Sequence, residues 1–241
     1  MRRHLSVLTL YVRNTIYKLI LIIMAMAAVE FAGFKLFGPE LARNFGLEKS
    51  SRFYGIIFTF ACLGLILVCI LPSEKNCKYG YTLMRLQVSE RSVFLWHSLS
   101  NVCSFLILWG AQIIIIFTLC KLHAGSSIYA EGPQGILVNF YRSDFLHSLF
   151  PLDETVLWIR NFMYAISAGT SCAYAQLAVR HNKKPVCAVM ALLYILITFS
   201  ATVGIGVSKG LFTTLFQFIL TCSCIALALG SAHNGKRCRD E

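Results

Sequence analysis

Four polar side chains stand inside long apolar runs of this sequence: Glu30, Gln112, Arg160 and Gln176. A charge at the centre of a bilayer costs about 3 kcal/mol or more, so such residues are functional candidates by default. Glu30 and Arg160 fall near the outer ends of their runs, where snorkelling to the surface or a structural pair accounts for them. Gln112, and Gln176 with Ser167, Thr170 and Ser171, suit two roles: lining a polar path, or hydrogen bonding between helices. Signatures of catalysis are missing. No GxxxxGK[ST] occurs, so the chain carries no P-loop, and there is no HExxH or GxSxG. His4, His97, His123, His147, His181 and His233 are scattered. Asp144 and His147, with Asp153 and Glu154 nearby, read as a solvated face and not as a metal site. No catalytic, cofactor-binding or metal-ligating residue is expected, and the chain is not expected to be an enzyme. Paired catalytic groups deep in the spans, which an intramembrane enzyme needs, are not visible.

The cysteines add no chemistry. Cys62, Cys69, Cys103, Cys120, Cys172, Cys187, Cys222 and Cys224 lie within or at the ends of apolar runs, where Cys acts as a small hydrophobe. There is no CxxC pair, and Cys222–Cys224 is a CxC without His neighbours, so neither a zinc site nor a disulfide framework is expected.

The elements that position these residues follow from composition. The 241 residues are 57% hydrophobic and 14% charged, with mean hydropathy +0.66. A soluble domain carries about a quarter charged residues. The expectation is a single membrane domain over 1–241: all-α and polytopic, with six transmembrane helices. Runs of about 20 apolar residues place the spans at about 19–34, 54–71, 98–122, 156–179, 186–207 and 211–230. The fourth has the weakest apolar signal. Its Ala165, Ala168, Gly169 and Ala173 suit close helix packing, and Gly204 and Gly206 would let the fifth bend or pack tightly. Before the first span, Leu5, Leu8, Leu10, Val12, Ile16 and Leu19 mix with basic residues, which predicts an amphipathic N-terminal interfacial helix. Arg13 and Lys18 interrupt what would otherwise resemble a signal peptide, and no cleavage site follows, so cleavage is not expected.

The net charge of +11 is explained by orientation. With both termini cytoplasmic, the inner side receives Arg2, Arg3, Arg13, Lys18, Lys75, Lys78, Arg85, Arg91, Arg180, Lys183, Lys184, Lys236, Arg237 and Arg239. This is the positive-inside bias, and it leaves no need for a nucleic-acid partner. The partner it implies is the lipid bilayer, and the expected location is the cell (plasma) membrane. The connection from His123 to Thr155 opens with the turn signal EGPQG; then Leu137, Phe140, Tyr141, Phe145 and Leu149 recur at helical spacing, predicting a short amphipathic outer helix.

The second connection, CKYGYTLMRLQVSERSVFLWHSLSN from Cys77 to Asn101, is a mixed piece between two apolar runs. Ser89 is placed to cap a helix, Glu90 suits the positive end of its dipole, and Val88 with Val93 stand where a hydrophobic staple would close. A helix from there to about Lys121 would be about 48 Å long, more than the roughly 30 Å hydrocarbon layer, so its first turns should project or bend along the surface. Before it, Tyr79, Leu83 and Leu86 share one face, predicting a short helix that either forms a cytoplasmic knob or only anchors the third span.

This pattern, with LQVSER at Leu86–Arg91 and six spans around it, resembles the permeases of type-2 ATP-binding-cassette (ABC) exporters. The resemblance implies a permease that pairs with a second permease chain, as homo- or heterodimer, and sits on a cytoplasmic ATP-binding subunit that hydrolyses ATP. It implies transport of a substrate by alternating access. It makes Lys78, Tyr81, Leu83, Arg85, Leu86, Glu90 and Arg91 the candidate ATPase-coupling residues. One departure is that the family often has short re-entrant helices between its fifth and sixth spans, where this chain has only Ser208–Gly210. The alternative is a non-transport integral membrane protein, an assembly factor or sensor subunit, using the same segment as an anchor.

Overall fold

A computed structural model of the chain describes residues 2–44, 46–70, 89–126, 149–151, 155–180, 184–201 and 207–240. The described residues are helical almost throughout, in six helices: α1 (Arg2–Asn44), α2 (Gly46–Ile70), α3 (Glu90–Ser126), α4 (Thr155–Arg180), α5 (Val186–Ala201) and α6 (Val207–Asp240). Three of them contain stretches long and apolar enough to cross a membrane: Tyr11–Leu36, Phe53–Ile70 and Glu90–Leu119. Shorter apolar stretches run over Val186–Leu196 and Thr214–Gly230.

The expected surface helix and first span are one element. No proline interrupts the run from Arg2 to Leu36, so nothing there removes a backbone donor, and one helix, α1, carries both. The capped start of α3 is present. The backbone N–H of Ser92 donates to Ser89 Oγ at 3.4 Å, that of Val93 to the Ser89 carbonyl at 3.1 Å, and Glu90 occupies the first turn. The expected helix at Tyr79–Leu86 and most of the outer one at Leu137–Leu149 lie outside the described residues.

The helix with the weakest apolar signal is the centre of the bundle. On α4, Ala165 and every residue from Ser167 to Ala178 are buried, and its most extensive contacts are with α3 and α6, with α5 and α2 beside them. Burial on all sides explains its composition: small residues let the neighbours approach, and its hydroxyl and amide groups face protein instead of lipid. Gly169 shows how close the approach is. A Cβ there would lie 2.6 Å from the Val102 backbone nitrogen and 2.5 Å from its Cγ2.

Two apolar clusters fill the interior. The larger joins Leu19 and Met26 of α1, Leu65 of α2, Leu108 and Ile116 of α3, and Cys172 of α4. The smaller joins Ala173 and Leu177 of α4, Ala188 and Ala191 of α5, and Cys224 and Ala228 of α6. The outside is apolar as well: Tyr17, Leu21, Phe60, Ile114, Phe212 and Ile219 are each exposed by more than 60%. Meanwhile Glu30, Asn101, Gln112 and Gln217 have no exposure at all. Polar groups inside and large apolar groups outside suit hydrocarbon surroundings, and mark the chain as a membrane protein.

Candidate functional site

Five of the seven candidate coupling residues, Lys78, Tyr81, Leu83, Arg85 and Leu86, lie outside the described residues. The other two open α3: Glu90 is half-buried and Arg91 exposed. The four intramembrane candidates are all described, and all are buried.

Glu30 does not snorkel. It lies on the α1 face toward α3, where Gln112 Nε2 donates to its Oε1 at 2.6 Å. Among the described residues, Glu30 Oε2 and Gln112 Oε1 have no hydrogen-bond partner. Gln176 joins three helices. Its Nε2 donates to the Cys69 carbonyl of α2, and its Oε1 is 2.9 Å from His97 Nδ1 of α3. An amide oxygen only accepts, so His97 carries its proton on Nδ1 in this arrangement. Arg160 is 3% exposed, next to the buried Asn161 on α4.

Further members of this polar seam include Tyr11, Asn101 and Gln217, to which sequence reasoning gave no role. The Tyr11 hydroxyl of α1 donates to Asn101 Oδ1 of α3 at 2.7 Å, and Asn101 Nδ2 donates to the Gly169 carbonyl of α4 at 3.4 Å. The Tyr11 ring lies against His97, with centroids 4.3 Å apart. On the other side of α4, Gln217 of α6 donates to Ser167 Oγ, and the Ser171 hydroxyl is 3.9 Å from Cys224 Sγ. Cys187 of α5 lies 3.4 Å from Cys224. Each pair bridges two helices, so Gln112 and Gln176 serve as links in the bundle. The signal for Tyr11, His97 and Asn101 was their mutual spacing across helices, which a single sequence does not display.

A cavity of about 70 Å³ lies among α2, α3, α4 and α5. Phe58, Thr59, Cys62 and Ile66 line it from α2, Phe105 and Trp109 from α3, and Ile195 and Leu196 from α5. From α4 come Asn161, Tyr164, Ala165 and Ala168, spaced as one helical face. Two of the lining side chains are tied to the segment at Leu149, whose carbonyl accepts from Trp109 Nε1 at 3.1 Å and Asn161 Nδ2 at 3.5 Å. Trp109, Trp158, Phe150 and Phe162 pack edge to face around it. Among the described residues no group of three or more His, Cys, Asp or Glu side chains is placed to hold a metal.

No protein-family model, no curated protein and no solved structure matches this chain significantly.

Proposed function

We propose that this chain is the membrane-spanning permease subunit of an ABC exporter, crossing the plasma membrane six times with both termini in the cytoplasm. It pairs with a second permease chain and docks a cytoplasmic ATPase on the segment from Lys78 to Arg91. ATP binding closes the ATPases and pushes this segment, and the spans rock between inward and outward openings.

The observation that carries this reading is the form of α3. It begins at the Ser89 cap and continues unbroken for 37 residues, about 55 Å. The apolar layer is about 30 Å thick, so α3 has length enough to project from it. From His97 to Trp109 it packs on α4, the centre of the bundle. A helix that starts beside the docking segment and packs along the central helix is a suitable lever. The positive-inside distribution of Lys and Arg adds support for the orientation.

The test is purification from native membranes in mild detergent, after cross-linking, followed by identification of the accompanying proteins. A stoichiometric soluble ATPase with a P-loop supports the exporter reading. Its absence favours the non-transport integral membrane protein, with Lys78–Arg91 as an anchor.

A further inference from the structure

The cavity among α2, α3, α4 and α5 has a chemistry of its own. At about 70 Å³ it exceeds the roughly 10–15 Å³ that a single water needs. Its walls are mainly aliphatic and aromatic, and cavities so lined exclude water and accept apolar guests. A hydroxyl in its wall is unsatisfied. Tyr164 is 5% exposed, and among the described residues its hydroxyl has no hydrogen-bond partner. A buried phenol normally finds an acceptor, and leaving it without one is destabilising. Neither of the potential acceptors in the lining takes it: the Thr59 hydroxyl, which donates to its own helix at the Gly55 carbonyl, and Asn161 Oδ1 do not accept from Tyr164.

The lining residues that are only partly buried mark where a guest enters. They include Thr59 and Cys62 on α2 and Leu196 on α5. Beside them, Phe60 and Leu63 on α2 and Leu193 on α5 are exposed apolar side chains, the kind of surface that meets lipid in a membrane protein. A guest entering between α2 and α5 therefore comes from the hydrocarbon layer.

We propose that this cavity binds an apolar molecule carrying a hydrogen-bond acceptor, such as the ester carbonyl of an acyl chain, which accepts a hydrogen bond from the Tyr164 hydroxyl. The apolar body lies along Ala165 and Ala168 toward Ile66 and Phe105. The proposal is independent of the exporter reading, because it concerns a guest of this chain alone. An acyl ester has two sources, a bilayer phospholipid or a headgroup-free ester dissolved in the bilayer, and the experiment separates them.

The full-length protein is reconstituted in nanodiscs with one of two photoreactive probes. One is a phosphatidylcholine with a diazirine in its acyl chain; the other is a diazirine-bearing alkyl ester without a headgroup. Labelled peptides are mapped by mass spectrometry. Labelling is expected on Asn161–Ala168 and Phe58–Ile66, saturable and displaced by unlabelled ester. Tyr164→Phe, which removes only the hydroxyl, should weaken apparent affinity about fivefold, the value of one neutral hydrogen bond. Ala168→Leu should abolish cavity labelling by filling the space. If that variant fails to fold, Ala165→Val provides the same test with a smaller side chain. Labelling by phosphatidylcholine assigns the guest as a bilayer lipid, and labelling by the simple ester alone assigns a headgroup-free apolar molecule; both support the site. Labelling confined to outward residues such as Phe60, or unchanged by both the cavity-filling and the Tyr164→Phe substitutions, overturns it.

Discussion

The side-chain amide of Gln112 donates to the carboxyl group of Glu30 across the α1–α3 interface, at 2.6 Å and with no exposure of either residue. Interhelical pairs in membrane proteins contribute about 0.6 kcal/mol on average and at most about 1.7 kcal/mol, and hydrogen bonds to charged groups lie toward the upper end. A double-mutant cycle with Glu30→Ala and Gln112→Ala, read by unfolding in detergent, should give a coupling energy of about 0.6–1.7 kcal/mol. A coupling near zero would show that the pair does not hold α1 to α3.

The close approach of α3 and α4 makes Gly169 intolerant of a side chain. In Gly169→Ala the new methyl meets the Val102 backbone, which cannot move aside as a side-chain tip can. Overpacking of this kind costs about 1–3 kcal/mol. Gly110→Ala is the control, because nothing lies within 4 Å of a Cβ there, and helix propensity favours that change by about 0.5–1 kcal/mol. The measurement is the difference in thermal midpoint between the two variants, with Gly169→Ala the lower.

Removing the Tyr11 hydroxyl should loosen the α1–α3 interface. Tyr11→Phe keeps the ring against His97 but leaves Asn101 Oδ1 without this donor. The expected loss is about 0.5–1.5 kcal/mol. Backbone hydrogen exchange around Thr15 and Asn101 should rise by a corresponding factor; unchanged exchange would assign the hydroxyl no role in stability.

The cap at Ser89 governs the start of α3. Ser89→Ala removes the oxygen that accepts from Ser92 and should cost about 0.5–2 kcal/mol, with faster amide exchange over the first turn. Ser89→Asp, which retains an acceptor and adds a favourable charge at the dipole's positive end, should restore protection. If α3 transmits motion, Ser89→Ala should also lower ATPase stimulation more than it lowers assembly.

Docking itself is tested upstream of the cap. Arg85→Glu combined with Leu86→Asp should abolish association with an ATPase subunit while leaving membrane insertion intact, scored by co-purification and by protease protection. Survival of both the complex and its activity would remove this segment from the interface.

Membrane residence was legible in the sequence because it depends on quantities that are local and additive. Runs such as Ile56–Ile70 and Val102–Leu119 are apolar enough to be recognised one segment at a time. The cap at Ser89 was legible for the same reason: a helix start is decided by the few residues that can reach its free N–H groups. Even the merging of the interfacial helix with the first span into α1 follows from an uninterrupted backbone. The interior is another matter. Nothing in the spacing of Glu30 and Gln112, or of Tyr11, Asn101 and Gly169, announces that they meet, because they are far apart along the chain and the hydropathy of a segment does not say which neighbour it faces. The placement of α4 at the centre, despite its weak apolar signal, was decided by tertiary packing. A helix surrounded by helices need not be apolar toward lipid, and its hydroxyls and amides find partners only once the others have closed around it. The cavity at Tyr164 is likewise a product of four helices together, a space left where no set of side chains fills the gap between them.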